Sequence, residues 1–313
     1  EEVFLARYGD PNRTGDDSAT VVLGSHRLAF TTDSFVVDPL FFPGGDIGRL
    51  AVAGTVNDLL TAAARPLVLS ASFILEEGLE IALLQAISES MREAAAEAGV
   101  AIVTGDTKVV PKGSADKVFI TTAGVGLVLA PGVSGAAARP GDEIILTGTV
   151  GDHGAAVLLA REKLLEGEAI RSDAAPLTGL VLNLLDEGVE IHAMRDPTRG
   201  GIAAALNEIA RQSQVAMEIS EARVPVAPAV AAACEALGLD VFQVANEGKM
   251  LIIVAPEDAA KALFIIRRSP YGESARVIGR VSAAPPGRVT VKTVIGTARL
   301  LDPPSGDLLP RIC

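Results

Sequence analysis

Tryptophan is absent from the sequence, and aromatic residues as a whole make up only 4% of it. Few rings are therefore available to stack on nucleic-acid bases. Positive charge is scarce as well, because 27 lysines and arginines stand against 39 aspartates and glutamates, which gives a net charge of −12. A surface this acidic repels phosphate backbones and anionic membranes. The composition therefore argues against nucleic acids and membranes as partners.

Cysteine and histidine are also rare, with two and three copies. These numbers are too small for a disulfide framework or a cysteine-rich zinc site. No uncharged apolar run reaches the roughly 18 residues that a membrane-spanning helix needs. The sequence begins Glu1-Glu2-Val3 and shows no signal-peptide pattern. We therefore expect a soluble cytoplasmic protein with reduced thiols.

Apolar residues, mostly small and aliphatic, fill 49% of the 313 positions, enough for about two domains. Strand-like and helix-like segments alternate in both halves, which predicts an α/β (α+β) fold. The clearest helix covers residues 80–98, where apolar residues recur at helical spacing and Gly99 follows as a C-cap. The other predicted helices are 46–64, 155–166, 176–187, 200–211 and 256–267, and the predicted strands are 28–35, 67–74, 100–104, 117–129, 143–147 and 249–254.

A segment rich in proline and glycine, Pro131–Asp142, is the predicted linker. It divides the chain into a first domain, residues 1–133, and a second domain, residues 140–301. Residues 302–313 contain three prolines and form a mobile C-terminal tail, carrying Cys313, that we expect to be neither helix nor central strand.

Aspartates recur beside apolar runs in the first half, namely Asp16, Asp33, Asp58 and Asp106. A carboxylate in such a place is costly unless it is matched. Mg²⁺, held by a few carboxylates and by substrate phosphates, would match them. Alternatively, each one is an ordinary turn or cap residue, which aspartate favours.

Neither a Walker-type GxxxxGK[ST] nor a Rossmann-type GxGxxG motif occurs. Lys108 follows Asp106 by two residues and either contacts a phosphate or substrate carbonyl, or is a surface lysine. The glycine-bounded turns 151–154 and 196–201 are either anion sites or capped turns, the second of them opening a helix. His153, in the first of these turns, is more typical of a structural residue than of a base.

Glu247 lies in the sequence NEGK between two apolar runs. Apolar surroundings raise the pKa of a carboxyl group and suit it to accept a proton near neutral pH, although an edge turn is equally compatible with the pattern. Cys234 falls on an apolar helix face and is predicted to be buried. Cys313 is the last residue printed, on a tail with no evident core to pack into. This position is typical of a carrier nucleophile, and the alternative is a cysteine that stands there by chance.

These motifs occur in an order that resembles the HypE family of hydrogenase maturation factors. The resemblance covers residues 16–313 and rests on TTDSFVVDPLFFPGGDIG, VNDL, FILEEGL, TGDTKVV, GDHGA, DPTRGG, ANEGK and the terminal PRIC. TGDTKVV and PRIC are the most specific of these. Several of the others are shared with the wider aminoimidazole ribonucleotide synthetase-like superfamily and indicate the fold more than the activity.

The resemblance implies a two-domain fold whose N-terminal sheet pairs across a homodimer, with ATP at the interface. It implies an enzyme that uses ATP to dehydrate an S-carboxamide on Cys313 to an S-cyanate. HypF would supply the carbamoyl group, and a HypC–HypD complex would accept the cyanide. By motif, Glu247 and Lys108 would handle the carboxamide protons. Mg²⁺ and the nucleotide phosphates would be bound by Asp16, Asp33, Asp58 and Asp106, and Asn57 would join the ATP site.

Other functions remain open at this point. A ligase or kinase of the same superfamily would also activate an oxygen with ATP, but it would need no terminal cysteine. Selenophosphate synthetase is disfavoured, because this chain has no cysteine before Cys234. A carrier without catalytic activity would need Cys313 but not the aspartates. Family members also carry a glycine-rich segment upstream of the Asp16 motif, which the printed sequence does not include.

Overall fold

The computed structural model describes Arg7 and residues 15–163, 170–306 and 309–313. Its strands are β1 (Ala19–Leu23), β2 (His26–Phe35), β3 (Phe41–Phe42), β4 (Gly45–Asp46), β5 (Ala64–Glu76), β6 (Ala101–Val110), β7 (Val118–Val128), β8 (Glu143–Leu146), β9 (Ile191–Arg195), β10 (Ala216–Ser220), β11 (Leu251–Val254), β12 (Arg276–Ser282), β13 (Val289–Lys292) and β14 (Ala298–Leu300). Its α-helices are α1 (Ile47–Thr61), α2 (Ile81–Ala98), α3 (Asp152–Glu162), α4 (Thr178–Asp186), α5 (Gly201–Gln212), α6 (Pro228–Leu237) and α7 (Ala259–Arg268).

The strands form two large sheets, one in each half of the chain. The first sheet has five strands in the order β1-β2-β7-β5-β6 and is antiparallel except for the β5–β6 pair. The second has seven strands in the order β14-β13-β10-β12-β8-β11-β9, and β10–β13 is its parallel pair. The α/β architecture predicted from the sequence is confirmed.

Helix α1 lies at the centre of the first half. The Asp46 carboxylate caps its N-terminus, accepting hydrogen bonds from the backbone N–H of Gly48 at 2.7 Å and of Arg49 at 3.2 Å. Apolar residues cover every face of this helix, and almost all of its residues are buried between the first sheet, α2 and the second half. The surrounding elements thus cover this helix, and Asp58, which lies on it, is placed between the two halves of the chain.

The predicted helix 80–98 is confirmed, since α2 ends at Gly99, whose φ of 71° is left-handed. The predicted strand 100–104 is too short, because β6 runs on to Val110. A Cβ on Gly105 would lie 2.1 Å from the Ala71 carbonyl oxygen of the adjacent strand. Glycine is therefore required here by close strand approach, not by a turn. The predicted helix 155–166 begins earlier, at Asp152, and its last residues, 164–166, lie outside the described residues.

The expectation that the tail has no core to pack into is wrong for its last residues. Leu309 and Ile312 are buried, and Cys313 packs against the same apolar core. The Arg311 carbonyl oxygen accepts hydrogen bonds from the Asp38 backbone N–H at 3.3 Å and from the Arg161 guanidinium at 2.6 Å. Residues 307–308 lie outside the described part of the chain. Residues 309–313 are thus docked on the body of the protein.

Among the helices in the described ranges, none is long and apolar enough to cross a membrane.

Candidate active site

Four carboxyl groups lie near one another where the first half faces the second. Asp33 is on β2, Asp58 on α1, Asp17 just before β1 and Asp196 directly after β9. They are close enough to shift one another's pKa. We call these four residues the carboxylate cluster. The predicted residues Asp33 and Asp58 are thus brought together, and Asp17 and Asp196 join them.

Burial raises the pKa of every member of this cluster. The pKa of Asp17 rises to about 6, although Arg195 opposes the rise from 2.9 Å away. Burial and then the neighbouring carboxyl groups raise the pKa of Asp58 and Asp196 well above the ordinary value. The pKa of Asp33 is also raised, mainly by burial. Such a cluster is costly when ionised, so a proton or an added cation stabilises it.

Two hydroxyl groups accompany the cluster. The Thr31 hydroxyl donates to Asp58 Oδ2 at 2.8 Å. Ser18 Oγ is buried and has no hydrogen-bond partner among the described residues. A buried hydroxyl without a partner is uncommon, and a bound ligand or water usually explains it. A polar group of a bound ligand could therefore form a hydrogen bond with Ser18 Oγ.

Asp16 lies near the cluster and raises the pKa of Asp17, but its hydrogen bonds are made elsewhere. Its carboxylate accepts hydrogen bonds from the Ser134 hydroxyl and the Gly135 backbone N–H, both at 2.8 Å. It thereby ties the segment before β1 to the linker. These hydrogen bonds give Asp16 a structural role. Its role in metal binding stays a prediction.

Asp106 and Lys108 lie on β6, at the outer edge of the first sheet. Strands β7 and β5 separate this edge from Asp33 on β2, which amounts to about 14 Å at the usual strand spacing of ~4.8 Å. The two residues form an exposed ion pair with 2.7 Å between Lys108 Nζ and Asp106 Oδ2, and the hydrogen bond from Lys108 lowers the pKa of Asp106. Within one chain they therefore do not reach the carboxylate cluster.

Glu247 and Cys313 lie side by side. Glu247 is only 3% exposed, and its Oε1 has no hydrogen-bond partner in the described part of the chain. Burial first, and then Asp196 and Asp173, raise the pKa of Glu247 well above its ordinary value. Burial likewise raises the pKa of the Cys313 thiol, and Glu247 raises it further. Two of the three predicted catalytic residues are thus brought together as a buried carboxyl group facing a thiol.

A buried ion pair holds the loop that carries Glu247. The Asp173 carboxylate accepts from the backbone N–H groups of Glu247 and Gly248, each at 3.2 Å, and lies 3.1 Å from Lys249 Nζ. Burial acts to raise the pKa of Asp173, but Lys249 and the hydrogen bond from the Glu247 backbone outweigh it and the pKa is lowered. Asp173 is therefore an ionised anchor that fixes the backbone of the candidate base.

Asn57 connects the two halves of the chain. Its Nδ2 donates to the Ala175 carbonyl at 3.1 Å and to the Glu247 carbonyl at 3.4 Å, and its Oδ1 accepts from Leu177 N–H at 2.9 Å. The amide is thus engaged with the backbone around Glu247. We therefore assign it to holding the halves together and leave nucleotide contact as a prediction.

Among the described residues, no three Asp, Glu, His or Cys side chains converge closely enough to hold a metal ion by themselves. Mg²⁺, however, usually keeps several waters and binds through one or two carboxylates together with substrate phosphates. The carboxylate cluster, with its raised pKa values, offers oxygen ligands without enough cations to balance them. The residues present therefore fit a Mg²⁺ ion that arrives with a nucleotide.

Comparison with known proteins covers both halves. The family described as "AIR synthase related protein, N-terminal domain" matches residues 15–128, and its C-terminal counterpart matches residues 139–292. Carbamoyl dehydratase HypE of Cupriavidus necator is 52% identical over 316 residues, covering 100% of this chain and 90% of that protein. The chain belongs to the HypE family.

Two solved HypE structures share its fold. A HypE–HypF complex matches with a TM-score of 0.91 and 48% identity, over 97% of this chain and 98% of that one. A HypE structure in complex with ATP matches with a TM-score of 0.90 and 48% identity, over 100% of this chain and 95% of that one. The family resemblance of the sequence is thereby confirmed.

Several residues near the HypE site were not assigned to it from the sequence. Asp17 follows the predicted residue Asp16, and Asp196 is the first residue of the motif DPTRGG. Placing these two motifs in one site would have identified both residues. Asp173 stands in an unremarkable loop, RSDAAP, without any local signal. Only the folded chain brings it to Glu247.

Proposed function

We propose that this chain is a carbamoyl dehydratase that uses ATP to convert an S-carboxamide on Cys313 into an S-cyanate, the source of a cyanide ligand for the iron of [NiFe]-hydrogenase. The observation that carries the proposal is the contact between Glu247, a buried carboxyl group of raised pKa, and the Cys313 thiol. The names of its relatives and the ATP bound to one of them support it.

The chemistry requires an oxygen and two protons to leave the carboxamide. An amide oxygen is a poor leaving group, so the γ-phosphoryl group of ATP is transferred to it first. Removal of the nitrogen protons then forms the C≡N bond as the oxygen departs with phosphate. The products are Cys313-bound S-cyanate, ADP and phosphate, with the water of dehydration consumed in hydrolysing ATP. Positioning of the two reactants supplies most of the catalysis.

Glu247 is suited to take one of these protons. Its burial and the neighbouring carboxyl groups keep its pKa high, so the carboxylate form is a stronger base than an exposed glutamate. The hydrogen bonds from its backbone and that of Gly248 to Asp173 hold it in place beside the thiol. An unpartnered Oε1 is the atom that would receive the proton.

The carboxylate cluster would hold the Mg²⁺ that accompanies ATP. The metal would neutralise phosphate charge, which is its usual part in phosphoryl transfer. Asp17, Asp33, Asp58 and Asp196 are the residues available for this within the described part of one chain. Ser18, with its unpartnered hydroxyl, lies in the same segment as Asp17.

The direct test is the mass of the C-terminal peptide. We expect incubation with HypF, carbamoyl phosphate and ATP to add one carbamoyl group to Cys313, and a further step to remove one water. Incubation of the already carbamoylated chain with a non-hydrolysable ATP analogue should leave the carboxamide in place and form no S-cyanate. A peptide that never loses water in the presence of ATP would contradict the proposal.

We expect Mg²⁺ to bind only together with nucleotide. Because no three ligands converge in the described residues, Mg²⁺ alone should leave the thermal unfolding temperature unchanged, whereas Mg²⁺ with ATP should raise it. Asp58→Asn should abolish most of this increase, since the substitution removes a cluster oxygen charge. Thermal unfolding with each addition measures it. A large increase with Mg²⁺ alone would show a preformed metal site.

A homodimer would complete the site. Every residue of β6 except the last is exposed, and this strand ends the first sheet, so its outer hydrogen-bonding edge faces no described strand. Apolar side chains such as Val103 and Val109, 59% and 67% exposed, line it. An edge of this kind is suited to pair with a second copy. We infer that such pairing places Asp106 and Lys108 beside the ATP of the partner protomer.

Mixing two inactive variants tests this arrangement. Lys108→Ala and Glu247→Gln should each be inactive alone. If one site uses residues from both chains, a mixed dimer has one intact site, and co-refolding should restore about a quarter of the wild-type activity. Mixing Glu247→Gln with Asp58→Asn serves as the matched control, because both of these residues act within one chain. No recovery in the first mixture would contradict the shared site.

The partners follow the same proposal. HypF would load the thiol, in keeping with the HypE–HypF complex among the solved relatives. A HypC–HypD complex would accept the cyanide. Both would have to reach a thiol that is docked in the structure.

A further inference from the structure

His153 lies between the body of the second half and the end of the tail. It is fully buried at the start of α3, and its ring contacts a polar group on each side. Nε2 is 2.8 Å from the Ile312 carbonyl oxygen, and Nδ1 is 2.8 Å from the Ser172 hydroxyl. Ile312 immediately precedes Cys313. The histidine is therefore bonded to the peptide group that carries the terminal cysteine.

The chemistry of the two partners fixes the tautomer. A carbonyl oxygen can only accept, so Nε2 must carry the proton that it donates to Ile312. Burial lowers the pKa of His153 and keeps the ring neutral, which leaves Nδ1 as an acceptor. The Ser172 hydroxyl then donates to Nδ1, and its oxygen accepts the Ala174 backbone N–H at 3.1 Å. Every polar atom of this chain of contacts is satisfied in a single arrangement.

The same short segment also controls the base. Ser172 donates to Nδ1 of His153, and the next residue, Asp173, accepts hydrogen bonds from the backbone N–H groups of Glu247 and Gly248. Hydrogen bonds thus connect residues 172–173 both to the end of the tail that bears the thiol, through His153, and to the candidate base. A shift in this segment would move the two reacting groups relative to each other, and misplacement by about 1 Å is costly in catalysis.

We propose that His153 is a positioning residue that holds the Cys313 thiol against Glu247 by donating its Nε2–H to the Ile312 carbonyl. It touches no reacting atom itself. Leu309 and Ile312 supply the apolar contacts of the docked tail, whereas His153 supplies a directional bond to the residue that precedes the thiol. Its catalytic importance rests on the proposed function, but its hold on the tail does not.

The test is the rate at which iodoacetamide alkylates Cys313, followed on the C-terminal peptide by mass spectrometry. It needs neither ATP nor HypF. Docking protects the thiol, and loss of one buried hydrogen bond should speed alkylation about three- to tenfold in His153→Ala. His153→Gln, which can place an N–H near the Nε2 position, should restore much of the protection. Equal rates in the wild type and His153→Ala would overturn the proposal.

His192 provides the matched control. It is another buried histidine with both ring nitrogens bonded, to Asp142 at 2.8 Å and Glu190 at 3.0 Å, away from the tail. His192→Ala should leave the alkylation rate of Cys313 unchanged. If it accelerated alkylation as much as His153→Ala, the effect would reflect loss of any buried histidine, and the proposal would fail.

Nitrogen NMR of the three histidines gives an independent readout. We expect a neutral His153 with its proton on Nε2, and a changed signal in a chain lacking residues 310–313. A proton on Nδ1 would overturn the proposal, because that tautomer cannot donate to Ile312.

In single turnovers of the carbamoylated chain, His153→Ala should slow dehydration with an unchanged KM for ATP. If the chain performs no dehydration, the alkylation and NMR results still decide the part played by His153.

Discussion

Cys313→Ala yields a chain that folds and binds ATP but forms no S-cyanate. In the proposed reaction the thiol sulfur attacks the activated carbamoyl donor and then carries the product, and alanine offers no nucleophile. We expect no carbamoyl mass on the C-terminal peptide and complete loss of turnover. ATP affinity should be unchanged, because the thiol is not one of the proposed ligands of Mg²⁺ or the phosphates, although Asp33 of the carboxylate cluster is near enough to raise its pKa. Intact-mass analysis and an ATP-binding titration measure the two effects.

Cys234→Ala is the matched control for the loss of a thiol. Cys234 is buried on α6, so its replacement should cost about 1 kcal/mol of packing and leave turnover intact.

The docked tail makes a second variant informative. A residue added after Cys313 keeps the thiol but would have to fit into the packed site, so it should also prevent turnover. Activity in Cys313→Ala would refute the carrier role.

Glu247→Gln should slow dehydration by about 10²- to 10⁴-fold, the usual contribution of a positioned general base. Glutamine keeps the size of the side chain but cannot accept the proton. Carbamoylation by HypF and the affinity for ATP should be retained, because neither step needs this carboxylate. Single-turnover dehydration of the carbamoylated chain separates these steps. An equal loss of ATP affinity would place Glu247 at the phosphates instead.

The same substitution should stabilise the fold, and more so as the pH rises. The folded-state pKa of Glu247 lies well above its ordinary value of 4.5, so between these two values the folded state holds a proton that the unfolded chain has released. Stability therefore falls as the pH rises through this window. Glu247→Gln removes that loss, and its unfolding temperature should exceed the wild type by more at about pH 8 than at about pH 5.

Glu257→Gln controls for the change of side-chain chemistry. Glu257 is exposed and remote from the site, so this variant should match the wild type in turnover and in its unfolding temperature at both pH values. If Glu247→Gln were less stable than the wild type at the higher pH, the carboxylate would be making favourable contacts that the structure does not describe. That result would contradict its assignment as a desolvated base.

Local patterns in the sequence predict a helix or strand boundary well when the residue at that boundary has a single structural role. Gly99 ends α2 in a left-handed conformation, as its position after a helical period indicates. Gly105 misleads, because the glycine serves close strand approach inside β6. As a result, Asp106 and Lys108 were predicted to follow the end of a strand, in one site with the other aspartates, whereas β6 holds them at the far edge of the sheet.

The contacts of the site depend on packing between distant segments, which local patterns cannot show. Glu247 is recognisable as a carboxyl group between apolar runs, but Asp173, which holds it, lies in a loop of no distinctive composition. Leu309 and Ile312 are two isolated apolar residues in a proline-rich tail, and nothing local indicates that a groove receives them. The sequence therefore predicts which residues are reactive better than it predicts what positions them.

The docked cysteine also has a consequence for oxidative damage. Peroxides attack the exposed thiolate, and susceptibility follows both ionisation and access. In the docked tail, Cys313 is partly buried and its thiol pKa lies well above the ordinary value, so the sulfur is both protonated and sheltered. The resting protein thus keeps its most reactive atom in its least oxidisable form. Sulfenic acid at Cys313 should accumulate only in proportion to the time that the tail spends undocked.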